Sequence, residues 1–176
     1  SMIKVGVIGC GKIAQTRHLP EYMGNPDCTI AAVYDFNAER AQEMAEIYGA
    51  KAYDSYESLI ADPDIDAVSV GVRNSDHAAI SIAALEAGKH VLCEKPMAVT
   101  LKECLDMVEA SKKSGKYLMI GHNQRFTKAH LKAKELIETG AIGDVVTFRT
   151  CFGHGGPETW TVDSANVWFF DKRYSA

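Results

Sequence analysis

Apolar residues come in short runs along this chain, and longer stretches of helical period separate the runs. Residues 3–9 (IKVGVIG) read as a strand, and helical sequence follows to about Met23. Residues 29–35 (TIAAVYD) form the next predicted strand. Asn37 stands where a cap is needed for a helix with Ala38, Ala41, Ala45 and Tyr48 on one face. A short strand at 51–53 (KAY) and a short helix in DSYESLI follow. Residues 66–72 (DAVSVGV) predict a strand. Ile80, Ala83, Ala84 and Ala87 then recur at helical spacing, and Gly88 ends that helix. Residues 90–94 (HVLCE) give another strand. Thr100 and Glu103 have the spacing of a capping box, opening a helix whose Leu101, Cys104, Leu105 and Val108 are expected to face inward. Residues 117–121 (YLMIG) close the series. Strands that alternate with helices imply right-handed crossovers and a parallel, doubly wound sheet, an α/β fold. The runs are apolar on both faces, as a sheet sandwiched between helices requires.

The pattern changes near His122. A helix is predicted from about Lys128 to Thr139, and GAIGDVV turns it into a longer strand at 145–152 (VVTFRTCF) that alternates only partly. Gly- and aromatic-rich sequence without a clear period follows. We expect one domain over residues 1–122 and the beginning of a second over 123–176. One strand and one helix cannot make a core. The second domain therefore reads as incomplete, and the strand 145–152 is expected to be poorly ordered or borrowed by a neighbour.

Composition narrows the partners. The chain has 176 residues, 47% hydrophobic and 24% charged, which is ordinary for a globular protein. A net charge of −4 disfavours nucleic acid or an anionic membrane as a partner, because both need a basic face. No apolar run approaches the ~20 residues that span a bilayer, and the first residues lack the basic start of a secretion signal. The five cysteines are scattered, with no C-x-x-C pair. Neither a disulfide framework nor a metal site is expected, and a reducing, cytoplasmic location is the default.

Five strand ends carry candidate chemistry. GCGKIA (9–14) follows a strand and opens a helix. Gly9 permits a tight turn, and Gly11, followed by Lys12 and Ile13, lets backbone N–H groups approach a pyrophosphate. Ala14 stands where a third glycine would pack helix against strand. Asp35 follows at about the ~20-residue spacing expected for the group that binds an adenosine ribose. Its carboxylate accepts from a 2′-hydroxyl and repels a 2′-phosphate, so NAD is favoured over NADP, although Arg40 can reach back from the next helix. A purely structural glycine turn with an ordinary capping Asp is the alternative.

The run Glu94-Lys95-Pro96 ends another strand on the same edge. In a doubly wound sheet ligands sit beyond the carboxyl ends of the strands, so Lys95 is expected at the nicotinamide end of the crevice. There it can donate to a substrate oxygen or take part in proton transfer. Glu94 can orient it, and Pro96 can fix the turn through a cis bond. A surface salt-bridge pair is the competing reading. Asn74 and His77, in VRNSDH (72–77), can contact the ribose or the nicotinamide side, while His77 can equally cap or pack within its helix. Asn123 and Arg125, in HNQRF (122–126), are candidate polar contacts near the crevice, with an interdomain salt bridge the alternative for Arg125.

Together these pieces resemble the Gfo/Idh/MocA oxidoreductase family. The resemblance rests on GCGKIA, Asp35, EKP at 94–96, NQRF at 123–126 and GAIGDV at 140–145. It implies a Rossmann domain followed by an α+β domain with an open antiparallel sheet. It also implies a nicotinamide-dependent dehydrogenase moving a hydride between NAD and a hydroxyl-bearing carbon of a sugar, an inositol or a related polyol. Lys95 matches the family's active-site lysine, and the full-length protein is expected to be a homo-oligomer, a dimer or tetramer. Two departures stand out. Arg73 replaces a proline common in the family, and the family's catalytic Asp and His would lie after WFFDKRYSA, so this piece alone is expected to be inactive. Trp160 can stack on a sugar face and His154 can touch a hydroxyl, or both can simply pack at a domain seam. The rival functional class is a non-catalytic dinucleotide-binding sensor or scaffold.

Overall fold

The strand pattern folds into a six-stranded, all-parallel sheet of order β3-β2-β1-β4-β5-β6. In this computed structural model, which describes residues 2–158, 160–162 and 168–175, the strands are β1 (Ile3–Ile8), β2 (Cys28–Tyr34), β3 (Lys51–Ala52), β4 (Ala67–Val70), β5 (His90–Cys93) and β6 (Leu118–Ile120). The helices are α1 (Leu19–Met23), α2 (Ala38–Tyr48), α3 (Tyr56–Ala61), α4 (His77–Glu86), α5 (Leu101–Ser114) and α6 (Lys128–Glu138). Two units separate: residues up to Gly121 together with those from Pro157 onward, and His122–Gly156.

The sheet carries a core on each face, because its central strands are apolar throughout. Ile8, Leu59, Val68, Val70, Leu85 and Met107 form one. Val5, Val7, Leu19, Val33 and Met44 form the other. Each fully buried leucine contributes about 1.5–3 kcal/mol relative to exposure. The order reverses between β1 and β4, so the loops leaving these two strands diverge and open a crevice at their carboxyl ends.

Local chemistry fixes the helices. The Asn37 side chain accepts from the Arg40 N–H at 3.1 Å, and α2 ends at Gly49 with φ 65°. Thr100 and Glu103 close the capping box from both directions at 3.2 and 2.8 Å. The inward face of α5 differs from expectation. Met107 and Ala110 are buried, while Leu101 and Leu105 are 76% and 60% exposed and Val108 is also exposed. Two apolar stripes share this helix about 140° apart at 3.6 residues per turn, and the one set by Met107 and Ala110 meets the sheet core. Periodicity cannot choose between them.

Before α1 the chain makes a π-helical turn over Ala14–His18, in which the Leu19 N–H bonds to the Ala14 carbonyl five residues back. Pro20 explains it. Proline has no N–H to give the Thr16 carbonyl, and its ring crowds that carbonyl, so the ladder widens just ahead of it.

In the unit His122–Gly156, α6 forms as predicted and ends at Gly140 with φ 69°. The strand expected at 145–152 does not form, and among the described residues no strand follows β6. Val146 and Phe148 are 92% and 79% exposed. A strand is stabilised by its neighbours' backbone groups, and among the described residues none pairs with 145–152. The open antiparallel sheet implied by the family resemblance is accordingly not assembled here.

Candidate functional site

The glycine turn is built by close backbone approach. Gly9 has φ 94°, and its N–H bonds to the Tyr34 carbonyl at 2.8 Å, tying the end of β1 to the end of β2. A Cβ at Gly9 would lie 2.5 Å from the Gly71 carbonyl oxygen in the loop after β4. Gly11 is different: a Cβ there would meet nothing within 4 Å. Packing does not demand glycine at that position, which faces open space in front of the helix start. Ala14 is buried as the third packing residue.

Asp35 locks the turn from the side. Its Oδ2 accepts the Cys10 N–H at 2.8 Å, while its Oδ1 accepts the Asn37 N–H at 2.9 Å and the Arg40 guanidinium at 3.4 Å. Both side chains of this ion pair are nearly buried. Arg40 does reach back, as its position in the next helix allows, and it places a cation beside the carboxylate. Burial, with the Asp35 charge adding to it, pushes the Cys10 thiol up to about 12, so this cysteine is a packing residue.

Gly9, Gly11, Asp35 and Arg40 line a cavity of about 810 Å³, together with Asn74, Glu94 and Lys95. That size suits a cofactor-scale ligand. The Lys95–Pro96 bond is cis. The Lys95 ammonium lies 5.4 Å from the centre of the Trp160 ring, close enough for a cation–π contact. Trp160 stands edge-on to Phe169, which stacks on Trp168, and all three line the cavity. Farther along, Arg73 lies over the Tyr174 ring at 4.3 Å, and the Ser75 N–H bonds to the Tyr174 carbonyl at 3.2 Å.

An open backbone cradle at a helix start, a buried acid at the end of the second strand and a lysine at the end of β5 fit a dinucleotide with its pyrophosphate at the turn. The model of an oxidoreductase family with an NAD-binding Rossmann fold, GFO_IDH_MocA, matches residues 3–122. The chain belongs to that family. An inositol 2-dehydrogenase from Salmonella paratyphi B is 38% identical over 146 residues, covering 80% of this chain and 43% of the relative. A myo-inositol 2-dehydrogenase from Thermotoga maritima is 39% identical over 142 residues, covering 80% and 42%. Among solved structures, the 3-ketoreductase KijD10 from Actinomadura kijaniata, in complex with NADP and TDP-benzene, superposes with a TM-score of 0.76 at 31% identity, covering 82% of this chain and 44% of that one. This Gfo/Idh/MocA chain thus spans less than half the length of the curated relatives it matches.

Within the family frame, the remaining candidates fall in different places. Asn74 is buried in the turn after β4 and lines the cavity. His77 is 1% exposed; its Nδ1 faces the Pro96 carbonyl at 2.7 Å and its Nε2 the Val72 carbonyl at 3.1 Å. It joins the loop after β4 to the loop after β5. Asn123 and Arg125 belong to the second unit, exposed on its first turn.

One residue was missed by the sequence reading. His18 is buried, with Nε2 2.8 Å from Glu94 Oε1 and Nδ1 2.7 Å from the Ser69 hydroxyl. The signal was present: Ala14, His18 and Tyr22 recur four apart, so the helix period puts His18 on the packed face. Glu94 Oε2 in turn accepts the Lys95 N–H at 3.1 Å. Burial pushes the Glu94 carboxyl up, but the His18 contact, its charge and the Lys95 N–H outweigh burial and leave it below its usual value.

Proposed function

We propose that this chain is the cofactor-binding part of an NAD(P)-dependent oxidoreductase. It would move a hydride between a nicotinamide and a hydroxyl-bearing carbon of a sugar, an inositol or a related polyol. The observation that carries this reading is one cavity containing both the Gly9–Ile13 turn and the Lys95 ammonium. A nicotinamide, when bound, accepts or gives the hydride. The chain's own residues do the rest. The backbone at Gly11, Lys12 and Ile13 holds the pyrophosphate with the favourable end of the helix dipole. Asp35 receives the adenosine ribose hydroxyls. Lys95 stabilises the negative charge that builds on the substrate oxygen during oxidation. Asn74 and Glu94 shape the floor on which it acts.

Asp35 favours NAD, and Arg40 gives a 2′-phosphate a cation, which keeps NADP admissible. We assign residues 1–122 to the dinucleotide-binding domain and 123–176 to the start of the substrate and oligomerisation domain; within the latter, Trp160, Thr161, Val162, Trp168 and Phe169 line the cavity, and the stretch from Pro157 groups with the first unit. The full-length protein is read as a cytoplasmic dimer or tetramer without a nucleic-acid or membrane partner. No helix among the described residues is long and apolar enough to cross a membrane.

The test has two parts. Fluorescence titration of the chain with NADH and NADPH should give binding to both, with Arg40→Ala weakening NADPH selectively. In the full-length enzyme, supplied with a panel of polyols and NAD, Lys95→Met should slow NADH production about 10²-fold or more while NADH affinity stays near that of the parent. Equal loss of both contradicts the role given to Lys95. NADH binding with no turnover on any polyol points instead to a sensor.

A further inference from the structure

Three polar side chains under the cavity floor form one directed chain. We propose that His18 is a positioning residue: clamped by Ser69, its Nε2–H holds the Glu94 carboxylate in place and, through Glu94, the start of the Lys95 turn. The proposal rests on the reading that Lys95 works in the cavity. His18 itself is 8% exposed and is not a group that substrate would touch.

The direction follows from what each partner can do. Ser69 is 1% exposed, and its hydroxyl faces His18 Nδ1 at 2.7 Å. Glu94 Oε1 faces His18 Nε2 at 2.8 Å. An ionised carboxylate only accepts, so Nε2 must carry a proton. In the neutral ring Nδ1 then accepts from the Ser69 O–H, and in the imidazolium it donates to the Ser69 oxygen; in either form the Nε2–H points at Glu94. The remaining carboxylate oxygen accepts the Lys95 N–H at 3.1 Å. The opposite tautomer would set a nitrogen lone pair against a carboxylate and spoil the chain.

Position makes this more than a satisfied core histidine. Ser69 lies in β4, Glu94 directly follows β5, and His18 sits in the π-helical turn that follows the glycine turn. The chain therefore links three of the segments that build the cavity. Gly121 packs against the same carboxyl: a Cβ there would lie 3.3 Å from it, tight enough to push it. With His18 removed, the partly buried carboxylate loses its main partner and takes a proton or turns away. The Lys95 turn then loses both an acceptor and a nearby anion.

Two measurements on the 176-residue chain test this. Nitrogen NMR of the His18 ring should show the proton on Nε2. Amine acetylation read by mass spectrometry should show Lys95 in His18→Leu reacting about fivefold faster or more, relative to the exposed reference residues Lys102 and Lys113. In His18→Gln, which keeps an N–H donor near the Nε2 position, the Lys95 rate should return toward that of the parent. A role in stability alone would lower the melting temperature and leave the Lys95 rate unchanged. Should His18→Leu fail to fold, Gly121→Ala displaces the same carboxylate and should raise the Lys95 rate likewise. A neutral ring with its proton on Nδ1, or an unchanged Lys95 rate in a folded variant, overturns the proposal. Parallel NADH titration keeps the two readings apart, since a parent chain that fails to bind NADH sinks the dinucleotide reading without touching the His18 result.

Discussion

Gly9 and Gly11 stand two residues apart and should respond oppositely to the same substitution. At Gly9, alanine must adopt φ 94° and place its Cβ 2.5 Å from a backbone oxygen of Gly71. The backbone strain costs about 1–3 kcal/mol. The overlap adds about 1–3 kcal/mol, because a backbone carbonyl cannot swing aside as a flexible side chain can. A total near 4 kcal/mol is a large share of the ~5–15 kcal/mol that holds a domain folded. It lowers the melting temperature by roughly 10–15 °C at this chain length. At Gly11 the added methyl meets nothing within 4 Å and needs no positive φ. Gly11→Ala should leave stability unchanged or raise it by about 0.4–1 kcal/mol, through the unfolded chain's lost freedom. In the proposed binding mode the same methyl stands where the pyrophosphate approaches the backbone, so NADH affinity should fall about tenfold or more, ~1.4 kcal/mol. Thermal melts and NADH fluorescence titrations on the two variants give both numbers. If Gly11→Ala binds NADH as the parent does, the pyrophosphate does not sit at this turn. If Gly9→Ala melts with the parent, the packing of the turn is not as described.

Three other outcomes are expected. Glu94 titrates below its ordinary value of 4.5 in the folded chain, so the unfolded state takes up protons first on acidification. Its contribution to stability is present above pH 4.5 and is lost as pH falls through the lower folded value. Glu94→Gln should flatten this acid limb in denaturation curves recorded from neutral pH down. Burial pushes the Cys10 and Cys93 thiols up to about 12, so maleimide at neutral pH should label exposed Cys151 and spare both of them in the native chain, as read by peptide mass spectrometry. The buried Lys89 ammonium donates to the Asp62 and Ile65 carbonyls at 2.6 and 2.7 Å. Lys89→Met leaves both without that donor and should cost about 1–3 kcal/mol in urea unfolding, with NADH affinity unchanged.

The first domain was legible because its signals are local. Capping at Asn37 and Thr100, the glycine turn and the apolar runs each act within a few residues, and the strand-helix alternation admits few topologies. Signals with two equivalent solutions were not legible. The helix Leu101–Ser114 carries two apolar stripes, and only contact with its neighbours selects Met107 and Ala110. The run 145–152 has strand composition, yet a strand needs a partner that local sequence cannot supply. His18 looked like any helical residue, because its meaning lies in Ser69 and Glu94, distant in sequence.

By itself the sequence determined the parallel α/β class, the strand ends that carry glycines, Asp35 and Lys95, and the resemblance to an oxidoreductase family. Those follow from period, propensity and backbone sterics, which read only a few neighbouring residues. Tertiary structure alone decided which oxygen of Asp35 takes Arg40, that Gly9 is held by a carbonyl while Gly11 faces open space, and that a buried imidazole reaches the carboxylate next to Lys95. These are contacts between segments far apart along the chain. Their energies depend on distances of a few tenths of an ångström, which only the packed fold sets.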